Sequence, residues 1–292
     1  MQHRPTDRLS LYDTVAERAA GVVVREYSTS FGLATRLLSE PARTRIRTVY
    51  ALVRLADEVV DGAATQAGAA GVAQALLDDL EAETDRAVAR GYSTNVLVHA
   101  FARTAAEAGI GTELTRPFFA SMRTDLHRTV HDADSLRDYV YGSAEVVGLM
   151  CLRVFLLDLP EPGRERAYAR LTPGARALGA AFQKINFLRD LADDSERLGR
   201  RYFVDVDPAS LTEAQKAAIL ADIHADLRLA AQALPGLPPS ARRAVALAYG
   251  LFAELTRRLE RTPAVRISHT RVRVPATVKA RVAAGALLPV AR

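Results

Sequence analysis

A single cysteine, Cys151, stands in the whole chain. No intrachain disulfide can form, and the sequence fits a reducing compartment. Cys151 lies in the apolar run 146–152, where a small buried hydrophobe is expected rather than a nucleophile. Long apolar runs are also missing. The longest uncharged one, 244–253, falls well short of the ~18–20 residues a membrane crossing needs, so no span is expected. The first residues, Met1–Arg8, carry no apolar segment, which argues against a secretory leader. No Pro/Ser/Gly-rich hinge, low-complexity block or long charge run interrupts the middle. A length of 292 residues would allow two units of roughly 150, but one domain over 1–292 is the expectation, with flexible ends at 1–8 and 286–292. Alternating β patterns are nearly absent, and only 271–275 offers a short candidate strand.

What is present is ample core material: 49% hydrophobic residues beside 25% charged ones. The net charge of +5 could serve nucleic acid, anionic lipid or phosphorylated substrates. The arginines are dispersed, and no helix-turn-helix, zinc-finger or RNP signature accompanies them, so no nucleic-acid partner is expected. Helical periodicity runs through about 9–27, 41–61, 72–90, 95–108, 113–130, 135–157, 164–198, 212–234, 239–261 and 271–284, with a loop at 62–71. Ser135 and Thr212 are the expected N-caps, the latter with Gln215 as a capping box. The predicted architecture is all-α, with about ten helices around a central apolar cavity.

Two of these helices carry aspartates four residues apart: Asp57 with Asp61, and Asp190 with Asp194. Such pairs share a helix face and repel by roughly 0.2–0.5 kcal/mol when exposed, more when buried. Tyr50, Arg54, Asp57 and Asp61 form one polar column, and Gln183, Asn186, Asp190 and Asp194 another. Their flanks are apolar nearly all round, as in buried helices. A solvated helix face is the bland alternative. Unpartnered buried carboxylates are costly, so a cation or arginine must stand nearby, and oxygen ligands that leave coordination sites open suit Mg²⁺ held jointly with substrate phosphates. Arg54 and Arg189 each lie within a turn of their carboxylates, and Arg200-Arg201-Tyr202 follows the second column. Any of these guanidinium groups suits phosphate oxygens. Asp193 sits ambiguously at the edge of the second column.

These motifs, in order, resemble the squalene/phytoene synthase family. The likeness covers Tyr27 to Lys279: Tyr27-Ser-Thr-Ser-Phe31, the Tyr50–Asp61 column, Tyr139–Gly148, the Gln183–Asp194 column and Gly199-Arg-Arg-Tyr202. It implies an isoprenoid synthase fold with the two acidic helices facing each other across the cavity. It implies that Asp57, Asp61, Asn186, Asp190 and Asp194 bind Mg²⁺, for which Mn²⁺ can substitute. Catalytic work would fall to these and to Tyr50, Arg54, Tyr139 and Gln183. Substrate would touch Ser28, Ser30, Phe31, Arg54, Tyr139, Val147, Gln183, Arg189, Arg201 and Tyr202, with Phe31, Val146, Val147, Met150, Phe182 and Leu188 as candidates for the cavity wall. The implied reaction is head-to-head condensation of two geranylgeranyl diphosphates to phytoene through prephytoene diphosphate, without NADPH. Squalene or dehydrosqualene formation from farnesyl diphosphate is the alternative. A non-catalytic prenyl-lipid scaffold is a lower one.

Three positions depart from the family pattern: Tyr27 where His is frequent, Glu58 where a second Asp is frequent, and Val204 where Pro is common. They bear on the closure of the N-terminal flap and on the turn after Tyr202. A terpene cyclase or a one-plus-one prenyl elongase would share the metal logic. A helical metal-binding protein is a rival from another class, since His127 and His131 are four apart with Asp125, Asp132 and Asp134 nearby. The expected setting is the cytoplasm, with peripheral contact at the inner face of the plasma membrane through the basic stretch 261–281, and a downstream desaturase as partner.

Overall fold

The computed structural model describes residues 7–287. Of the ends expected to be flexible, 1–6 and 288–292 therefore lie outside the described residues. Helix α1 (Arg8–Tyr27) is followed by a short α2 (Thr29–Thr35), then α3 (Ala42–Val60), one turn of α4 (Ala63–Gln66), α5 (Ala73–Arg90), α6 (Val96–Ala108), α7 (Thr112–His127) and α8 (Ala133–Val140). Next come α9 (Val146–Phe155), α10 (Gly163–Arg189), α11 (Leu191–Leu198), α12 (Glu213–Ala233), α13 (Pro239–Arg261), one turn of α14 (Ala264–Ile267) and α15 (Ala276–Leu287). Ten of them (α1, α3, α5, α6, α7, α9, α10, α12, α13 and α15) run ten residues or longer. The fold is all-α as predicted. Among the described residues the nearest thing to a strand is a lone parallel bridge between Val130 and Arg201. The segment 271–275 forms none, because Pro275 leads directly into α15.

Local sequence sets the helix starts. Asn95 accepts from the Leu97 and Val98 amides. Thr212 and Gln215 make the predicted capping box. Ser135 is not the N-cap of α8: Asp132 is, with Ser135 as its reciprocal partner three residues on. The expected helix 135–157 is also interrupted by a π-helical turn at Tyr141–Glu145. Its cause is close packing. A Cβ on Gly142 would stand 2.2 Å from the Pro117 carbonyl oxygen and 2.1 Å from Ser121 Oγ, so the glycine lets this turn press into α7. The wider turn relaxes the local hydrogen-bond ladder, as π-bulges do. The expected loop 62–71 contains α4 and the start of a 3₁₀ turn at Ala70–Val72.

Helices α1, α3, α5, α6 and α7 pack together and bury one apolar cluster around Leu52, Phe101, Phe118 and Phe119. Helix α10 packs along α12 and against α13, burying a second around Ile185, Ile223 and Leu259. Helix α9 touches both α3 and α10. It forms the wall between the two columns and leaves the space that becomes the site.

Candidate active site

Tyr50, Arg54 and Asp57 project from α3, and Asp61 is its C-cap. Gln183 and Asn186 project from α10. The second column is not one helix: Asp190 ends α10 and begins α11, with φ −100° and ψ 11°. Helical bonding survives on both sides, since Asp190 donates its amide to Asn186 and Asp194 donates to Asp190. The break is a kink that re-aims Asp194. Asp190 is held by Arg189 and by Arg271, whose Nε lies 2.7 Å from Oδ1. Periodicity carried no signal for Arg271, which lies 81 residues downstream.

Gly199, at φ +65°, ends α11 in a left-handed turn favoured for glycine and sends the chain back across the site. There Arg201 donates its amide to Thr129 and accepts at its carbonyl from His131. Side chains in an extended segment alternate, so Arg200 and Tyr202 point inward while Arg201 points out. Arg201, the expected substrate contact, is exposed, and Arg200 is the buried one. Arg200 grips Asp61 through both terminal nitrogens at 2.7 and 2.5 Å. The sequence places Asp125 only beside the histidine pair; in the fold it lies on α7 four residues after buried Ser121, on the face that receives Gly142. Tyr139 is buried and donates its hydroxyl to Asp125 at 2.9 Å. Its ring packs with those of His131, Phe187 and Tyr202.

Arg54 does not neutralise an aspartate by direct pairing. It pairs with Glu58, and its guanidinium lies 4.3 Å from the Tyr27 ring centroid. Two of the positions that depart from the family pattern therefore meet at one arginine. Ser28 caps α2 by accepting from the Phe31 amide, and Ser30 lies on the same short helix. Phe31 stacks on Tyr50 at 4.8 Å.

The electrostatics mark this as one site. Burial first, with Asp61 and Glu58 adding to it against Arg54 and Arg200, pushes Asp57 up to about 7. Burial likewise raises Asp125 to about 7 against the pull of Arg200. Burial and then Asp190 raise Asp194 to about 6. Asp57 and Asp194 have no ion-pair partner among the described residues. The buried Oδ1 of Asn186 has no hydrogen-bond partner either. Among the described residues no three His, Cys, Asp or Glu side chains close into a ready-made cage. The free oxygens of Asp57, Asn186 and Asp194 still fit a hard cation that takes its remaining ligands from phosphate. Asp193 is half-buried beside them, with no ion pair among the described residues.

Below this charged mouth lies an apolar cavity of about 310 Å³. Phe31, Tyr50, Val147, Phe182 and Gln183 line it, as does Cys151. Val146, Met150 and Leu188, expected in the wall, are buried core instead. The Cys151 thiol faces the cavity, and burial pushes it up to about 12, so it carries almost no thiolate at neutral pH. The histidine pair does not form a metal site. Helix α7 ends at His127, which contacts Gln74 on the surface, while His131 turns inward against Tyr139.

Comparison with known proteins agrees with this arrangement. The family model for squalene/phytoene synthase matches residues 24–278. Phytoene synthase 3, chloroplastic, of Zea mays is 33% identical over 66% of this chain and 44% of its own length. Phytoene synthase 1, chloroplastic, of Arabidopsis thaliana is 33% identical over the same shares. The matched stretch thus spans less than half of these relatives. Among solved structures, a dehydrosqualene synthase in complex with a ligand superposes with TM-score 0.77 at 20% identity, covering 94% of this chain and 96% of that one. A squalene synthase from Alicyclobacillus acidocaldarius does so with TM-score 0.73 at 21% identity, covering 87% and 97%. These likenesses show the isoprenoid synthase fold.

Proposed function

The chain belongs to the squalene/phytoene synthase family, and on that premise we propose that it joins two geranylgeranyl diphosphates head to head into phytoene by way of prephytoene diphosphate, a prenyl transfer of carotenoid biosynthesis. The observation that carries the reading is the junction of a mouth rich in aspartate and arginine with an apolar cavity lined by Phe31, Tyr50, Val147 and Gln183. That polarity matches a substrate with an anionic head and a hydrocarbon tail.

Asp57, Asp61, Asn186, Asp190 and Asp194 would hold Mg²⁺ or Mn²⁺, which when bound draws charge from the departing diphosphate. Arg54 and Arg189 orient the diphosphate oxygens, as guanidinium forks do. Loss of diphosphate from one chain leaves an allylic cation, and the apolar wall keeps water from it. The stacked faces of Phe31 and Tyr50 stabilise that cation until the second chain's alkene attacks. Tyr139 and Gln183 order the polar mouth through the second ionisation and the closing proton loss. Farnesyl diphosphate would use the same residues, so the C30 hydrocarbons remain the alternative product.

The test is purified protein with geranylgeranyl or farnesyl diphosphate and Mg²⁺, without NADPH, followed by extraction and mass analysis. Phytoene from the longer substrate is expected. A C30 product from the shorter one alone would move the enzyme to the other branch, and no hydrocarbon from either would favour the scaffold.

No helix of the described residues is long and apolar enough to cross a membrane. A hydrocarbon product nevertheless has to leave into a bilayer, or to a desaturase working there. The basic stretch 261–281 is proposed as the contact, with exposed Val265 between Arg261 and Arg266. Flotation with anionic liposomes should carry the protein upward, and recovery only at the bottom of the gradient would exclude the contact.

A further inference from the structure

Asp125 joins Tyr139 to the first acidic column by contacts that the condensation above does not use. Its side chain is 5% exposed. Oδ2 accepts the Tyr139 hydroxyl at 2.9 Å. Oδ1 is buried without a hydrogen-bond partner and lies 3.6 Å from Nε of Arg200. Arg200 also donates to the Asp125 main-chain carbonyl at 3.2 Å while it grips Asp61. A buried carboxylate with one oxygen unsatisfied is expensive, and such groups in native interiors call for an explanation.

The other oxygen of Asp125, Oδ2, has a defined task in orienting Tyr139. A tyrosine hydroxyl has a single proton. With that proton directed at Asp125, the oxygen's lone pairs face elsewhere. Tyr139 is itself buried and adjoins the π turn that carries Ser143, a residue of the cavity wall. While Asp125 holds that proton, the hydroxyl has none to donate elsewhere in the polar mouth.

We propose that Asp125, braced by Arg200, is a positioning residue: it holds the Tyr139 hydroxyl as an acceptor, not a donor, at the polar mouth beside Asp61. Without Asp125 the hydroxyl is free to rotate and present its proton, with partial positive charge, to the mouth where the substrate ionises. The alternative role, a buried charge that merely ties α7 to the chain after Gly199, predicts a loss of stability and of diphosphate binding that is blind to Tyr139. The inference rests on the proposed condensation, and the experiment keeps the two apart.

The experiment is a double-mutant cycle of Asp125→Leu and Tyr139→Phe in the full chain, with turnover, KM, melting temperature and calorimetric binding of inorganic diphosphate with Mg²⁺ measured for each. Asp125→Leu should lower kcat about 100-fold, as loss of an aligned polar group does, with diphosphate affinity held within about twofold. Asp125→Asn keeps an acceptor oxygen and should restore about tenfold of that loss. On the Tyr139→Phe background, neither change should lower kcat further by more than about threefold. If Asp125→Leu does not fold, Asp125→Asn alone completes the cycle, with a loss when Tyr139 is intact and none on the Tyr139→Phe background. Multiplicative losses, unchanged kcat, or parallel losses of diphosphate affinity and melting temperature would overturn the assignment. Absence of hydrocarbon from the wild-type chain would overturn the condensation and this inference with it.

Discussion

Asp57→Asn should lower hydrocarbon formation by about three orders of magnitude, since metal-assisted departure is worth several kcal/mol, while making the folded chain more stable above neutral pH. Both effects have one origin. Asp57 is a half-buried carboxylate without an ion-pair partner, raised to about 7 by burial first and then by neighbouring carboxylates. The unfolded chain ionises it near the ordinary value of about 4. A folded value raised in this way means that the ionised group opposes folding. Below about pH 4 both states hold the proton and the penalty vanishes. It grows through the window between the two values and is full above about 7. The asparagine variant should therefore melt higher than wild type at pH 8 and match it near pH 4. Melting curves at the two pH values, beside product counts, check both halves. Retained turnover, or a lower melting point at pH 8, would refute the assignment.

The second large effect is structural. Gly142→Ala should cost about 3 kcal/mol or more, the upper range for overpacking. The added methyl would lie 2.2 Å from the Pro117 carbonyl oxygen and 2.9 Å from its carbon. Those atoms belong to helix backbone and cannot rotate aside as a side chain can. The melting point should fall by roughly 6–12 °C at the 2–4 °C per kcal/mol usual for larger domains. Turnover at permissive temperature should fall too, because Tyr139 and Ser143 flank the turn that would have to move. Gly285→Ala is the control. Nothing lies within 4 Å of its Cβ position, and alanine in an exposed helix adds up to about 1 kcal/mol. Equal melting points for the two variants would show that the π turn is not held by this contact.

The sequence made legible what repeats locally. The 3.6-residue period placed the long helices, and the spacing of Tyr50, Arg54, Asp57 and Asp61 put them on one face of α3. Capping chemistry found Thr212, and missed at α8 only which member of the Asp132–Ser135 pair is the cap. What escaped depends on partners far away in the chain. Arg200 and Arg201 are identical neighbours, and only the bridge to Val130 decides which faces inward. The π turn follows from Pro117 and Ser121 on another helix, and the hold on Asp190 comes partly from Arg271. Asp125 looked like part of a histidine cluster because the end of α7 at His127 could not be read from periodicity. The substrate-side assignments rest on how charge and cavity meet, which no local pattern encodes.

The grip of Arg200 on Asp61 joins residues 139 positions apart. Closing a loop of that length costs on the order of 4 kcal/mol of chain entropy, whereas the pairings of α5 with α6 and of α8 with the π turn are local. Contacts of that kind form early, and distant ones only once docked elements hold their ends together. The carboxylates of the two columns therefore meet late, after hydrophobic burial has committed the chain. A nascent chain is spared their mutual repulsion during synthesis, and the charged mouth becomes a late checkpoint in assembly rather than its nucleus.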